Sequence, residues 1–408
     1  MASADGLTVT IGQAEAPLEG PWRFRTGDDS RWATTQFDDS EWSTSDLRPA
    51  PGAHDADVGL SNYVPGWWQQ GFKGHEGYAW YRLRVRIDAP PNTRIALLAP
   101  AYVEDAYQIF WNGTLIGGSG DFSGPTPSAR STKPRMFDLP GDSDGVIAIR
   151  VWMQPGIDRE RDAGGIHIAP RLGGWNAIHD NYRLQWLETF RGYVVDVVEP
   201  LAFVLLAAFT LLSRRSQASV PFALWLATAL ILTALLRVNQ AVYFWFDFES
   251  QATFAFVKAA LLEPLGLAAW ILAWSHWFRL GRMRLMPWIL AGGIVITMIT
   301  VVADIAPWLR TLLRVAAAVM LITLAIIGSR ERRTDCWLVV TCLVLVSIGQ
   351  FAEELWAIGA PGIWFPFDTG VSRTQFAYAA LIVALGALTL RPLLLTSISP
   401  GRRLTLAP

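Results

Sequence analysis

Residues 220–244 read VPFALWLATALILTALLRVNQAVYF, and Arg237 is the only charged side chain among them. A helix that crosses a bilayer needs about 20 predominantly apolar residues. This stretch meets that requirement, and similar stretches recur along the second half of the chain. The segments predicted to cross a membrane are residues 193–212, 220–244, 253–278, 287–303, 309–328, 336–358 and 376–395. We therefore predict an all-α bundle of seven transmembrane helices over residues 193–395.

Arginine is distributed unevenly between the two ends of these segments. One set of ends carries Arg214, Arg215, Arg279, Arg282, Arg284, Arg330, Arg332 and Arg333, and the tail adds Arg391, Arg402 and Arg403. The opposite connections, around residues 247–249, 304–307 and 361–373, contain only Arg373. Cytoplasmic loops carry the excess of Lys and Arg in membrane proteins. The sequence therefore predicts an N-terminus outside the cytoplasm and a C-terminus inside it.

Ionisable side chains also lie within the predicted segments, in the half nearer the outside. They are Asp196, Glu199, Arg237, Lys258, Glu263, Arg314, Glu353 and Glu354. A charge at membrane depth costs roughly 2.5–3.5 kcal/mol, and opposite charges on neighbouring helices offset that cost. We predict that these residues form an intramembrane polar network that rearranges when the outer domain moves. The alternative is that they are interfacial residues at the helix ends.

The first part of the chain has a different pattern, with short alternating runs separated by turn residues. Residues 78–87, 94–100 and 146–152 are predicted strands, and residues 107–116 form a predicted hairpin around Asn112-Gly113. Short strands with frequent turns indicate a β-sandwich. The predicted organisation is an N-terminal extension (1–17), a β-sandwich sensor domain (18–175), a juxtamembrane linker (176–192), the helix bundle (193–395) and a tail (396–408).

Four pieces of the β-rich part resemble a known module. They are residues 20–24 (GPWRF), 77–82 (GYAWYR), 104–113 (EDAYQIFWNG) and 147–152 (IAIRVW). In this order they resemble the strands of galactose-binding-like jelly rolls, which are attached to many glycoside hydrolases and esterases. The resemblance covers most of the β-rich part.

A jelly roll followed by seven helices resembles the bacterial receptors that have seven-transmembrane diverse intracellular signalling modules. The resemblance implies a location in the bacterial cytoplasmic (inner) membrane, with an extracytoplasmic domain that senses a small-molecule or carbohydrate ligand. It also implies a cytoplasmic output such as a histidine kinase, a diguanylate cyclase or a phosphatase. Since residues 396–408 are too few for such a domain, we expect either that the output domain lies beyond Pro408 or that the chain signals through a partner. The expected protein partner is a cytoplasmic signalling protein or a second copy of this chain in a homodimer. A carbohydrate-binding membrane anchor and a transporter remain alternatives.

Sugars bind where a C–H face stacks on an aromatic ring and hydroxyls meet polar groups. The candidates for this chemistry lie in three loops and are Trp67, Trp68, His75, Glu76, Asp121 and Arg161. The alternative for the two tryptophans is a place in the core or on the membrane surface. The residues predicted for the core are Trp22, Trp32, Phe37, Trp42, Trp80 and Trp152.

Several function classes lack support in the sequence. The net charge of −1 gives no electrostatic basis for binding nucleic acid. Glu104 and Asp105 are adjacent on a predicted strand, so their carboxylates point to opposite faces and cannot act as a hydrolytic pair. We found no nucleophile elbow, phosphate-binding loop or metalloprotease motif. The chain is therefore predicted to be non-enzymatic, with no metal site and no cofactor.

Overall fold

The computed structural model describes residues 7–10, 15–54, 61–130, 133–140, 144–155, 163–215, 217–246, 250–280, 285–330, 336–360, 362–364 and 371–397. The chain forms two compact units. The first consists mainly of Met1–Asp55 and Gly59–Arg191, and the second consists mainly of Gly192–Val242 and Thr253–Pro408. Strands predominate in the first unit, and the second unit is mostly helical. This order of a β-rich part and then helices confirms the broad prediction.

Strands are present at each of the predicted ranges of the first unit, and further strands that were not predicted accompany them. In the described ranges the strands are β1 (Leu7–Thr10), β2 (Glu15–Pro17), β3 (Trp22–Thr26), β4 (Ser43–Ser45), β5 (Gly77–Asp88), β6 (Ile95–Leu98), β7 (Val103–Glu104), β8 (Ala106–Trp111), β9 (Thr114–Ser119), β10 (Met136–Leu139), β11 (Asp144–Met153), β12 (Gly165–Ile166) and β13 (Arg171–Gly174). In the β8–β9 hairpin, Asn112 and Gly113 both have positive φ angles, 50° and 86°. A two-residue turn of this kind favours Asn-Gly.

Two sheets enclose one apolar core in this unit. The larger sheet has the strand order β4-β3-β5-β11-β8-β9, and β1 pairs with β5; the second has the order β10-β6-β13-β2. Buried residues of the larger sheet, such as Tyr81 and Ile149, belong to the same core cluster as Leu97 and Leu172 of the second sheet. Of the six predicted core aromatics, Phe37 is half-buried and the other five are buried.

A second, smaller cluster lies on the outer face of the larger sheet. Trp32 and Trp42 pack there against Trp80 of β5. Asp29 caps the short 3-10 helix Ser30–Ala33. Hydrogen bonds from the Arg31 side chain, and then from its backbone N–H, hold the pKa of the Asp29 carboxyl below its usual value. Because Trp32 and Trp42 pack on Trp80, the segment that follows β3 folds back over the outer face of the larger sheet.

Arg82 is buried beneath this segment, although the alternation of Arg82, Arg84 and Arg86 on β5 predicts three solvent-facing arginines. Its Nε lies 2.8 Å from Asp39 Oδ2, and its side chain is 0% exposed. Nη1 donates to the carbonyl oxygens of Trp32 and Thr34. Burial lowers the pKa of Arg82, whereas the hydrogen bond to Asp39 raises it. The covering segment supplies the acceptors that make this burial tolerable.

Replacing Arg82 by Met is expected to destabilise the β-rich unit by about 3–5 kcal/mol, because Asp39 and two carbonyls would lose their donor. Hydrogen exchange of β3 and β5 amides in the full chain measures this loss. Arg86→Met is the matched control on the same face of the same strand, where the side chain is 75% exposed. The control should change stability by less than about 0.5 kcal/mol. Equal effects of the two substitutions would contradict the role given to Arg82.

Short connections separate most helices of the second part. The helices are α1 (Trp175–Leu212), α2 (Val220–Trp245), α3 (Gln251–Phe256), a π-helix (Val257–Leu262), α4 (Glu263–Trp277), α5 (Met286–Val302), α6 (Pro307–Arg330), α7 (Cys336–Gln350), α8 (Ala352–Ala357) and α9 (Arg373–Ser397), with the strands β14 (Ile363–Trp364) and β15 (Val371–Ser372) before α9. One continuous helix contains α3, the π-helix and α4. The second unit has its own apolar core, which includes Phe203, Trp270, Val339 and Leu381. Residues 176–192, predicted as a linker, lie entirely within α1.

Four helices in the described ranges are long and apolar enough to cross a membrane: Val220–Tyr243, Gln251–Trp277, Pro307–Arg330 and Arg373–Arg391. Three shorter apolar helices, Val197–Leu212, Met286–Val302 and Cys336–Gln350, coincide with the other predicted segments. A helix of 17 residues spans about 25 Å at 1.5 Å per residue, which is less than the roughly 30 Å of a hydrocarbon core. Seven crossings therefore remain a prediction.

Candidate functional site

The loop between β4 and β5 contains four of the predicted ligand-binding residues. Trp67 is 0% exposed and packs in the core, so its ring has no face open to a ligand. Trp68 is half-buried, and the indole Nε1 atoms of Trp67 and Trp68 both donate to the carbonyl of His75, at 3.1 and 2.9 Å. His75 Nε2 lies 2.9 Å from the carbonyl of Tyr78, and Glu76 is half-buried. These contacts make the loop a closed, ordered structure.

A shallow groove lies beside this loop. Its volume is about 300 Å³, and its lining residues are Thr44, Asp46, Val64, Pro65, Gln69 and Gln70. Gln70 is fixed by its own hydrogen bonds, since Oε1 accepts from Ser45 and Nε2 donates to the carbonyl of Pro65. Asp46 and Gln69 are exposed. A carboxylate and two amides above an apolar floor are suited to a polar ligand, and the volume is at the lower end for ligand pockets.

Asp121 lies in a separate cluster on the larger sheet. Its carboxylate accepts a hydrogen bond of 2.9 Å from the Ser123 backbone N–H, which holds its pKa below the usual range. The adjacent Phe122 ring lies 5.5 Å from the Arg150 guanidinium, which is also 4.3 Å from the Tyr78 ring. Burial raises the pKa of the Tyr78 phenol.

Arg150 was not among the functional residues predicted from the sequence. It pairs with Asp28 at 2.5 Å and donates to Gln108 Oε1 at 2.9 Å. One sequence signal pointed to Arg150. It lies between Ile149 and Val151 of a predicted strand, and because those two residues are buried, Arg150 is on the outward face of the sheet. Arg161, the remaining candidate of the β-rich part, lies outside the described residues.

The charged residues predicted for the second unit are brought together in pairs that join different helices. Glu199 of α1 and Arg237 of α2 form an ion pair of 3.0 Å, with side chains only 3% and 5% exposed. Arg237 Nη1 also donates to Gln240 Oε1 at 2.7 Å. Asp196 lies on α1 as well, and its side chain is outside the described part of the chain.

A larger cluster contains the other five charges. Arg314 of α6 pairs with Glu263 of α4 at 2.8 Å and forms a two-point contact with Glu354 of α8. Lys258 of the π-helix lies 2.7 Å from Glu353 and 3.8 Å from Glu263. Arg314, Glu263 and Lys258 are thus each shared between two partners of opposite charge. Opposite charges placed this way offset the cost of desolvation.

Two uncharged residues connect the clusters, and neither was predicted from the sequence. The Tyr378 hydroxyl of α9 accepts a 2.9 Å hydrogen bond from Gln350 Nε2 of α7, and Arg237 lies over the Tyr378 ring at 5.9 Å. Arg314 Nη2 donates to the Gln350 carbonyl at 2.7 Å, where α7 ends. We call the eight linked residues the outer network; they are Glu199, Arg237, Tyr378, Gln350, Arg314, Glu263, Glu354 and Lys258, with Glu353 at its edge. Polar side chains within apolar spans were the signal for Tyr378 and Gln350.

The π-helix contributes to the same network. The Glu263 backbone N–H donates to the carbonyl of Lys258, five residues back. Pro264 is the next residue, and because proline has no N–H, the carbonyl of Ala260 could not receive an α-helical bond. The widened turn places Lys258 and Glu263 within contact distance of each other. Short π segments inside α-helices are frequent at functional positions.

Breaking one pair of the outer network is expected to destabilise the helical unit. Arg237→Met should cost about 3–5 kcal/mol because the Glu199 carboxylate stays buried without its cation. The double substitution Glu199→Leu with Arg237→Met should recover most of that loss, since an apolar pair of similar volume needs no partner. Thermal unfolding of the full chain in lipid nanodiscs measures both.

Arg310→Met provides the control, because Arg310 is outside the network although it lies on α6 near Arg314. It should leave the unfolding temperature within about 1 °C. A double variant no more stable than Arg237→Met alone would show that the ion pair is not the source of the cost.

Comparisons with known proteins add little to this picture. No protein-family description matches the chain, and no curated protein matches it. Solved structures with local similarity include a Bacteroides uniformis β-glucuronidase (20% identity, TM-score 0.28) and a glycosyl hydrolase family 2 member from Bacteroides cellulosilyticus (20% identity, TM-score 0.28). Each match covers 39% of this chain and 17% or 20% of the other. At TM-scores below 0.5 these likenesses carry no conclusion about fold or activity.

Proposed function

We propose that this chain is the sensory and membrane part of a bacterial receptor, with a jelly-roll domain outside the cytoplasmic membrane and a seven-helix bundle within it. The outer network is the observation on which the proposal rests. Its members come from α1, α2, α4, α6, α7, α8 and α9, together with the π-helix. A shift of any one of these segments changes the pairing of several others, which is the property required of a two-state switch.

The position of the network within the helices supports this function. Within the apolar part of α1, Val197–Leu212, Glu199 lies near the end away from Arg214–Arg215, and Arg237 lies toward the corresponding end of α2. In α6, Arg314 lies far from Arg330. With arginine-rich ends inside, the network belongs to the outer half of the membrane. A ligand-binding domain outside would act first on this half.

We infer that the groove lined by Asp46, Gln69 and Gln70 binds the ligand, and that the ligand is a carbohydrate. Carboxylate and amide groups recognise hydroxyls in both donor and acceptor roles. The apolar floor formed by Val64 and Pro65 can contact the C–H face of a sugar ring. The signal would then pass to an output domain or partner on the cytoplasmic side.

Topology is the first test. Single cysteines at the exposed positions Lys73 and Arg214 are introduced into a Cys336→Ser, Cys342→Ser background, because both native thiols are buried. A membrane-impermeant maleimide applied to intact spheroplasts should label Lys73→Cys, and should label Arg214→Cys only after lysis. The reverse labelling pattern would overturn the receptor proposal.

Ligand recognition and signalling are tested on the full chain in nanodiscs. A glycan array of defined mono- and oligosaccharides should reveal a binder, and Asp46→Ala with Gln69→Ala should weaken it at least 10-fold. Asp121→Ala, in the other cluster, should leave the affinity within about twofold. Spin labels at Arg214→Cys and Arg330→Cys should report a changed distance with the bound sugar; binding without a distance change would favour the membrane anchor.

A further inference from the structure

The first five turns of α1 expose an apolar stripe that contains Leu184, Leu187 and Phe190. Leu184 and Leu187 are each 58% exposed, and the flanking Arg183 and Glu188 are exposed as well. Ile178, on another face of the same helix, is fully buried against β6. The exposed leucines precede the apolar segment Val197–Leu212, so contact with the hydrocarbon of a membrane does not explain their exposure.

The stripe continues along α1 with a repeat of seven. Taking Leu184 as position a of a heptad, the a and d positions are Leu184, Leu187, Arg191, Val194, Val198, Leu201, Leu205, Ala208 and Leu212. The side chains at Val198, Leu201, Leu205 and Leu212 are all exposed in the described helix. Apolar a and d residues sustained over about four heptads are the pattern of a coiled coil. The buried residues Phe203 and Ala207 face the helical unit's own core instead.

Charges beside the stripe are complementary for a second copy of the same helix. In this register Arg183 occupies position g and Glu188 occupies position e of the next heptad. Residues five apart point to different sides of their own helix, so these two do not pair within α1. In a parallel two-stranded coiled coil, position g of one helix faces position e of the next heptad on the partner. Each dimer would therefore contain two Arg183–Glu188 ion pairs.

The single charged residue within the series is Arg191, at an a position. Pro200 falls at position c, away from the contact surface. Two copies inserted in one membrane have the same orientation, which makes their α1 helices parallel.

We propose that α1 is a dimerisation helix that pairs in register with α1 of a second copy of this chain, from the juxtamembrane turns into the membrane. The occupant is a second copy because Arg183 and Glu188 match each other and because the seven-residue repeat suits an identical partner. This inference goes beyond the proposed function and does not depend on any ligand.

Cross-linking locates the contact in the full chain. Leu187→Cys, at position d, should form a disulfide-linked dimer in liposomes under mild oxidation. Thr189→Cys, two residues away at position f, should yield at least fivefold less dimer. Labelling of both variants by a small maleimide after denaturation provides the control for the amount of reactive thiol. Equal cross-linking at both positions would overturn the proposal.

Charge exchange identifies the partner. Arg183→Glu should raise the dimer dissociation constant about 3–10-fold by placing like charges across the contact. Adding Glu188→Arg should restore the constant to within about twofold, and single-molecule photobleaching at graded protein-to-lipid ratios measures both. Restoration supports the in-register dimer. A double variant as weak as the single one, or a chain that is monomeric at every density, would overturn it.

Discussion

A charge placed among apolar helices must meet an opposite charge, and this constraint governs the second half of the molecule. Glu199 and Arg237 are almost completely buried, and their ion pair offsets part of the cost of removing two charges from water. Each helix that carries one member must present it at the height and angle of its partner. Ionic contacts therefore constrain the rotation of α1 against α2, and of α6 against α4 and α8, in addition to the apolar core that α1, α2, α4 and α6 share.

The β-rich unit also contains a buried charge, and there backbone carbonyl oxygens as well as a carboxylate accept its hydrogen bonds. Arg82 is buried on the outside of a sheet because the segment after β3 folds over it with Asp39 and several carbonyl oxygens. Aromatic rings therefore cover one face of the larger sheet, and the main core packs on its other face. Both units thus use buried arginines as connectors, and the guanidinium group suits this role because it offers five donors in a fixed plane.

The features that depend on local pattern could be predicted from the sequence. Strands β5, β8 and β11, the Asn112-Gly113 turn and the positions of the apolar helices all have a clear periodicity or turn signal. The pairing of Glu199, Lys258, Glu263 and Arg314 with opposite charges was also predictable, since charges within long apolar segments need partners of opposite sign. Features that depend on distant segments were not. The alternation on β5 assigned Arg82 to solvent, and composition alone placed Trp67 among the ligand candidates although its ring is in the core. The groove at Asp46 has no local sequence signal, and the polar residues Tyr378 and Gln350 stand out within apolar segments although nothing local shows that they pair.

The π-helix Val257–Leu262 has a consequence for how this protein can change during evolution. A widened turn contains one residue more than an α-helical turn, so the helix before it is rotated by about 100° relative to the helix after it. Point substitutions can strengthen or weaken the contacts of Lys258, but they leave the length of the chain unchanged. Removing a single residue between Phe256 and Glu263 would turn Lys258 away from its carboxylates at once. Among relatives of this chain, insertions and deletions in these six positions would therefore mark changes in the pairing of Lys258 more sharply than any exchange of side chains.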